Sequence, residues 1–297
     1  MKTKLILLFI VFVLFTAMKN DKAAYQLFNS EGKQIKYKKL LKAASEADII
    51  LFGELHNNPI CHWLQLELTK DLFSSKNANI VLGAEMFESD NQLIINEYLL
   101  GVIKKRNFEK EARLWPNYET DYKPLLEFAK ENDLKFIATN IPRRYASVVH
   151  SKGFDALNDL EPEAKLFIAP LPIEYDAELS GYKKMKQMMG KMGKQANENL
   201  AKAQASKDAT MAFFILKNLE NEQTFIHFNG TYHSDNFEGI GWYLKRNNPE
   251  LKILTIASVE QDSVEKLNEE SKAVADFILC IPENMTKTYS KYVDKIH

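Results

Sequence analysis

Two four-residue segments with the same pattern stand out among the residues that could do chemistry. In each, a glycine is followed three positions later by a histidine: Gly53 to His56 (GELH) and Gly230 to His233 (GTYH). An apolar run precedes each segment, which predicts a buried strand. Because glycine lets the backbone turn sharply out of a sheet, we expect both imidazoles at the carboxyl ends of strands, where open parallel sheets bind ligands.

A carboxylate is predicted at the same edge. Glu85 follows the apolar run NIVLGA, and His62 lies six residues after His56. Imidazole nitrogen and carboxylate oxygen together suit zinc, manganese or iron, so His56, Glu85 and His233 form a candidate metal site. The same groups could transfer protons without a metal. His62 would join the site or orient one of its ligands.

Each of these features alone has a plainer explanation, since a single histidine after a strand is more often structural. The repeated pattern, with Glu85 at the end of a third strand, favours a functional polar site. Arg143 is interpreted as a solvated charge at a helix start, or as a clamp for a carboxylate or phosphate. Asp208 could point inward or lie at the surface. His227 is expected in the core, and His150 and His297 at the surface.

The pattern of the whole chain predicts an α/β fold, with a mostly parallel central sheet and helices on both faces. Apolar runs rich in β-branched residues alternate with helical stretches. Strands are expected at 48–52, 79–84, 135–139, 224–228, 252–256 and 275–281, and helices at 59–74, 92–103 and 121–131.

The stretch from about 174 to 219 is expected to add an inserted helical layer. Its centre, residues 182–193, is rich in methionine, lysine and glycine. It is either a loosely packed helix pair or an adaptable apolar surface for a large flat ligand or a second subunit.

Composition excludes some function classes. The chain of 297 residues has 39 basic and 40 acidic residues, for a net charge of -1, so its overall field does not favour nucleic acid as a partner. Two cysteines are too few for a disulfide framework. We expect no bridge between them, because Cys61 falls in a predicted helix and Cys280 in a late predicted strand.

The N-terminus predicts export. Lys2 and Lys4 precede an apolar run from Leu5 to Met18, after which the sequence becomes polar. The run is shorter than the roughly 20 residues of a membrane-spanning helix, so a cleaved signal peptide over residues 1–24 is favoured over a retained anchor. A single domain over 25–297 and a location in the periplasm or outer envelope follow. Because no cysteine lies near the end of the run, we do not expect a lipid-modified N-terminus.

Four segments resemble the haem-binding uptake proteins of the ChaN type, within the wider Tiki and erythromycin-esterase-like superfamily. They are GELHNNPICHWLQLELTKDL (53–72), GAEMFESDNQ (83–92), DATMA (208–212) and FNGTYHSDNFEGIGWYLKR (228–246). The resemblance implies an α/β sandwich fold, export and a role in bacterial iron acquisition with haem as the ligand. It also implies a homodimer that holds two stacked haems, iron ligation by a tyrosine, a histidine contact from the partner to a propionate, and an outer-membrane uptake receptor as a further partner.

The resemblance carries some pocket residues over to this chain. His56, His62 and His233 are expected to line the haem pocket, with Arg143 as a further contact. For the iron ligand, the candidates are Tyr182, Tyr175 and Tyr122, in that order. Tyr182 is preferred because the methionine-rich run beside it would offer an apolar wall to a porphyrin.

The wider superfamily also contains metal-dependent hydrolases, which leaves an enzymatic alternative. In that case His56, Glu85 and His233 would hold zinc or manganese. Glu54 would then act as the general base toward a bound water. Haem binding is the favoured hypothesis.

Overall fold

The computed structural model describes residues 22–76, 78–191 and 198–290. The apolar run of the predicted signal peptide and His297 lie outside the described residues. Within these ranges one eight-stranded sheet organises the fold. Its strands are β1 (Gln26–Asn29), β2 (Gln34–Ile35), β3 (Ile49–Glu54), β4 (Ile80–Glu88), β5 (Phe136–Asn140), β6 (Thr224–Gly230), β7 (Ile253–Gln261) and β8 (Phe277–Pro282).

The sheet is mostly parallel, as predicted. The strand order is β2-β1-β8-β7-β3-β6-β4-β5, and β3 to β8 pair in parallel. The short strands β1 and β2, which the sequence pattern did not predict, pair antiparallel at one edge. The central strands β3, β4 and β6 are buried along their whole length, which explains their unbroken apolar runs.

Helices cover both faces of the sheet, as predicted. They are α1 (Tyr37–Ser45), α2 (Pro59–Ser75), α3 (Gln92–Leu99), α4 (Lys105–Glu111), α5 (Lys123–Glu131), α6 (Arg143–Lys152), α7 (Pro162–Lys165), α8 (Ser180–Lys191), α9 (Glu198–Asn218) and α10 (Ile240–Asn247). Side chains from α2, α3 and α5 form one core with the sheet, and those from α6, α9 and α10 form the other.

Two helix boundaries differ from the prediction for local reasons. Helix α3 ends at Leu99 and not at Ile103, because Gly101 adopts a left-handed conformation with φ of 71°. Helix α5 begins at Lys123, since Tyr118–Tyr122 forms a π-helical turn.

The predicted helical layer at 174–219 consists of α8 and α9, with non-helical chain at 174–179. Helix α9 packs against α6, β5 and α10, so it belongs to the second face of the sheet. Ala201 and Ala205 on α9 leave room for Tyr182 of α8 to pack against them. In the methionine-rich run, the side chains beyond residue 187 lie outside the described part of the chain.

The two cysteines lie in the predicted elements and are unbonded. Cys61 is buried on α2 and Cys280 is buried on β8. Among the helices of the described ranges, none combines the length and the apolar character that crossing a membrane requires.

Candidate functional site

The two Gly-x-x-His segments leave neighbouring strands at the same edge of the sheet. Strands β3 and β6 pair in parallel, with Gly53 opposite Asn229 and Glu54 opposite Gly230. Both strands run two residues further than predicted, so the glycines are their penultimate or last residues. The histidines follow directly, at the carboxyl edge.

Glu85 reaches this edge from β4, the other neighbour of β6. The prediction placed it after the strand, whereas β4 continues to Glu88. Pairing of β4 with β6 ends at Ala84, opposite Phe228. Because the last residues of β4 extend beyond this ladder, the carboxylate of Glu85 can accept a hydrogen bond from the Gly230 N–H at 2.7 Å.

Gly230 brings the histidine and the glutamate together, but by close packing and not by a sharp turn. Its φ and ψ are -58° and 138°, which any residue can adopt. A Cβ on Gly230 would lie 2.6 Å from Nε2 of His56 and 3.5 Å from Oε2 of Glu85. Glycine is therefore required because the His56 ring occupies the space that a side chain would fill.

His233 lies between two carboxylates in a buried hydrogen-bonded chain. Its Nε2 is 3.2 Å from Oε1 of Glu85, and its Nδ1 makes a short hydrogen bond to Oδ1 of Asp208. The other carboxylate oxygen of Asp208 accepts a hydrogen bond from the Tyr182 hydroxyl at 2.8 Å. All four side chains are buried. Asp208 points inward, which decides between the two alternatives left by the sequence.

The charges of Glu85, His233 and Asp208 stabilise one another. Burial would lower the pKa of His233, but the negative charges of Glu85 and Asp208 raise it to about 10. Burial would raise the pKa of Glu85, but the charge of His233 and its hydrogen bond lower that pKa well below its usual range. His233 is therefore an imidazolium at neutral pH, paired on both sides.

Glu54 anchors the second histidine of the site. Its buried carboxylate accepts hydrogen bonds from the Tyr122 hydroxyl at 2.9 Å and from Nε2 of Gln65 at 2.6 Å, and it lies 2.9 Å from Nδ1 of His56. Burial would raise the pKa of Glu54, but the charges of His62 and His56 lower it. Glu54 is thus a buried carboxylate that fixes the surrounding side chains.

His56 is the half-exposed member of the site. Its side chain is 39 % exposed, and its ring packs 4.9 Å from the Trp115 ring. Burial would lower its pKa, but the hydrogen bond with Glu54 and the charge of Glu85 raise it. His56 can therefore present a positively charged ring edge to a ligand.

His62 supports the loop that carries His56. It is buried, with Nδ1 3.2 Å from Oε1 of Gln65 and Nε2 3.2 Å from the His56 carbonyl oxygen. Asn117 donates to the same carbonyl at 2.6 Å and to Asp121 at 2.6 Å. Sequence reasoning missed Gln65, although its position three residues after His62 places both on one face of α2. No sequence signal pointed to Asn117 or Asp121.

The three candidate tyrosines have their hydroxyl groups in the interior. Tyr182 donates to Asp208 and Tyr122 donates to Glu54, and both are buried. The hydroxyl of Tyr175 is buried too, and its ring packs against Phe154 and Tyr182.

The remaining sequence candidates divide between core and surface. The Arg143 side chain is 66 % exposed and its Nε is 2.5 Å from Oε1 of Glu88, which agrees with a solvated charge near the edge of the sheet. His227 is fully buried, bonded to Thr139 at 2.7 Å, and burial lowers its pKa to about 4. The predictions of a core His227 and an exposed His150 are confirmed.

A cleft opens beside His233, between helix α8 and the segment 231–239. We call it the α8 cleft. Its volume is about 50 Å³. The lining residues are Gly181, Tyr182, Lys184, Met185, Gln204, Tyr232, Asp235, Asn236, Glu238 and Gly239. Gln204 connects the cleft to the buried hydrogen-bonded side chains, since its amide nitrogen lies 3.0 Å from Nδ1 of His233. Burial raises the pKa of Asp235 to about 6.

The predicted metal site gains no support from this geometry. Within the described ranges, no group of three or more histidine, cysteine or acidic side chains is arranged to hold a metal ion. Both ring nitrogens of His233 lie against carboxylates, and the one against Asp208 forms the short hydrogen bond. Glu54, the predicted general base of a hydrolase, is buried and surrounded by donors.

Comparison with known proteins decides the family. Residues 40–244 match the family described as haem-binding uptake, Tiki superfamily, ChaN. The chain belongs to this family. In structure it is similar to ChaN of Campylobacter jejuni, described with cofacial haem binding, with a TM-score of 0.62, 17 % identity, and coverage of 86 % of this chain and 96 % of that one. The α/β fold and the resemblance predicted from sequence are confirmed.

A plant protein also matches part of the chain. The chloroplastic RETICULATA-RELATED 5 protein of Arabidopsis thaliana is 27 % identical over 146 residues. The match covers 47 % of this chain and 19 % of that protein, so it spans about a fifth of the length of this curated relative. The family is described as one of haem-binding uptake proteins.

Proposed function

We propose that this chain is an exported haem-binding protein of bacterial iron uptake, which holds haem at the carboxyl ends of its parallel strands. One observation carries the proposal: in a ChaN-family chain, the half-exposed imidazole of His56 lies at this edge beside Gly230 and Glu85. The buried groups behind the ring fix its orientation, so the site is built before a ligand arrives.

The residues at this edge fit a haem in charge and polarity. Haem carries two propionate carboxylates on an apolar ring, so its pocket needs cationic groups beside apolar walls. His56, whose pKa is raised by Glu54 and Glu85, supplies one cation. Met185 and Tyr232 supply apolar surface in the adjoining α8 cleft. In this proposal His62 and His233 hold the pocket in shape, since both are buried.

Export is part of the same proposal. The apolar run from Leu5 to Met18, after Lys2 and Lys4, supports a secretory signal. We expect the mature protein in the periplasm or outer envelope, without an N-terminal lipid. N-terminal sequencing of the protein recovered from the periplasm of an expressing bacterium tests this, and a start near residue 25 is the expected result. Retention of Met1 on membrane-bound protein would refute cleavage.

We also propose a homodimer that receives haem from an outer-membrane uptake receptor. Tyr232 and Phe237 are large apolar side chains that are about half exposed beside the α8 cleft, and a second copy that covers them would remove this apolar area from water. Sedimentation velocity with and without hemin tests the dimer. A species that stays monomeric in both conditions contradicts it.

Hemin titration of the purified protein tests the central proposal. We expect saturable binding with a shifted Soret band, and weaker binding in the variant His56→Gln. The matched control is His150→Gln, because His150 is exposed on helix α6. Absence of saturable binding by the unaltered protein would rule out the proposed function, whereas equal affinities of the two variants would rule out only the role of His56.

A further inference from the structure

A second cavity lies on the face of the sheet that α9 and α10 cover. Its volume is about 260 Å³, and it lies between these two helices and the chain segment 169–174. Helices α9 and α10 run back toward the amino ends of the parallel strands, since β6 and β7 follow them directly. Their last turns, which carry Leu216 and Arg246, therefore lie far from the polar site at the carboxyl edge. We call this cavity the α9–α10 groove.

The walls of the groove are mainly apolar. Ala209, Phe213 and Leu216 line it from α9, at spacings of four and three residues, so they form one stripe along the helix. Pro170 and Pro172 line the opposite wall, and their fixed φ angles keep that wall in shape. Phe213 and Leu216 are only partly buried. A ligand that covers them therefore removes apolar area from water.

Arg246 places a positive charge in the groove. Its Nε and Nη2 each lie 2.5 Å from Oε2 of Glu174, so both contacts are made to a single oxygen. The N–H groups on Nη1 can still donate to a ligand. The Glu174 side chain is 61 % exposed, so water screens this ion pair and its contribution is small. Lys217 adds a second cation, since its Nζ lies 5.6 Å from the centroid of the Phe213 ring.

Two aromatic side chains of α10 hold the guanidinium in position. Cζ of Arg246 lies 4.8 Å from the centroid of the Trp242 ring. The Tyr243 hydroxyl donates to the carbonyl oxygen of Glu174 at 2.6 Å, which ties α10 to the opposite wall. The cation and both walls are thus positioned before a ligand binds.

The size and the charges of the groove select the class of ligand. Pockets for drug-sized molecules occupy roughly 300–1,000 Å³, so about 260 Å³ suits a single narrow chain. An apolar stripe with a cation at one end matches an acyl chain that ends in a carboxylate. A cationic head group would instead be repelled by Arg246 and Lys217.

We propose that the α9–α10 groove binds a free fatty acid. The carboxylate accepts hydrogen bonds from Arg246, and the acyl chain lies along Ala209, Phe213 and Leu216. This site is separate from the proposed haem site, and both ligands can be bound at once.

Calorimetric titration of the full chain with dodecanoate, below its micelle concentration, tests the site. We expect saturable one-to-one binding, and binding at least about tenfold weaker for dodecyltrimethylammonium, which has the same chain with the opposite charge. The variants Arg246→Gln and Leu216→Gln should each lower the affinity for dodecanoate at least about fivefold. The control is Arg106→Gln, because Arg106 is exposed on α4, on the other face of the sheet.

Two further measurements locate the ligand. Binding of dodecanoate should change the tryptophan fluorescence of the parent, and this change should be lost in Trp242→Phe. Protein saturated with hemin should bind dodecanoate as tightly as the free protein. Displacement of dodecanoate by hemin would place the fatty acid in the haem site and overturn the proposal.

Other outcomes also overturn the proposal. Equal affinities of Arg246→Gln and Arg106→Gln, or of the parent for the two amphiphiles, would show that no carboxylate is recognised. Tighter binding of lysophosphatidate than of dodecanoate would replace the fatty acid with a phospholipid. Absence of dodecanoate binding, with a dimer in sedimentation velocity that Leu216→Gln abolishes, would make the groove a contact between two copies of the chain. Circular dichroism of each variant verifies that it is folded.

Discussion

Tyr182 and His233 are joined through the two oxygens of one carboxylate. The Tyr182 hydroxyl donates to Oδ2 of Asp208, and the other oxygen of Asp208 holds Nδ1 of His233. Tyr182 comes from helix α8, Asp208 from α9, and His233 from the turn after β6. The link therefore ties the helix that borders the cleft to the edge of the sheet.

Removing the Tyr182 hydroxyl should cost stability. The variant Tyr182→Phe leaves Asp208 without one buried donor, so we expect the free energy of unfolding to fall by roughly 1–3 kcal/mol. Urea denaturation measures the change. The control is Tyr37→Phe, since Tyr37 makes the same kind of bond to Asp71 at 2.8 Å near the surface and should lose less than about 1 kcal/mol. Equal losses in the two variants would contradict a structural role for the buried pair.

The charge on His233 should make stability depend on pH. Its pKa is about 10 in the folded protein and about 6.5 in an unfolded chain. A raised folded pKa contributes stability that is complete below about pH 6.5 and is lost as the pH rises toward 10. We expect the free energy of unfolding to fall by roughly 2–4 kcal/mol across this window.

Glu85 also makes stability depend on pH, but in the acidic range and with the opposite sign. Its folded pKa is lowered, so its contribution is present above its ordinary pKa and is lost as the pH falls below that value. The pair is therefore most stabilising between the ordinary pKa values of the two groups. Denaturation of the parent, His233→Gln and His150→Gln at several pH values gives the free energy of unfolding as a function of pH. It tests both the alkaline loss assigned to His233 and the acidic loss assigned to Glu85. If the free energy of unfolding of the parent changes with pH above 6.5 as little as that of His233→Gln, His233 is not held protonated.

The sequence predicted which strands meet at the site, because an unbroken apolar run identifies a buried strand. Strands β3, β4 and β6 are apolar runs, and the polar residues after or within their ends had to meet at one edge. The reason for the glycines was wrong: Gly230 has an ordinary conformation, and its role is the close approach of His56. That contact joins residues far apart in sequence, which local patterns do not report.

The order of the tyrosine candidates could not be judged from sequence either. Tyr182 was preferred for the methionines beside it, yet its hydroxyl bonds to Asp208, a residue that sequence left ambiguous. Tyr232, within the GTYH segment itself, was not among the candidates, and it is about half exposed beside the cleft. Exposure depends on how α8 packs over the turn, and this is a property of the folded chain.

Gly230 offers a sharp test of the packing at the edge. In Gly230→Ala the new Cβ would lie 2.6 Å from Nε2 of His56 and must displace the ring. We expect a loss of roughly 1–3 kcal/mol in unfolding free energy and weaker hemin binding. The control is Gly241→Ala on helix α10, where the nearest atom would be 3.9 Å away. There alanine should be neutral or stabilise by up to about 1 kcal/mol. A tolerated Gly230→Ala would contradict the contact.

Two cations near the edge of the sheet can be compared as propionate contacts. Lys184 lines the α8 cleft, while Arg143 is held 2.5 Å from Glu88, so its charge is already paired. We therefore expect Lys184→Ala to weaken hemin binding several-fold, through the loss of one charge-assisted contact, and Arg143→Ala to change it less than about twofold. Titrations at low and high salt measure both, because an exposed contact is screened by salt. A larger loss of affinity in Arg143→Ala than in Lys184→Ala would contradict this and would place the propionates near the end of β4 instead of beside α8.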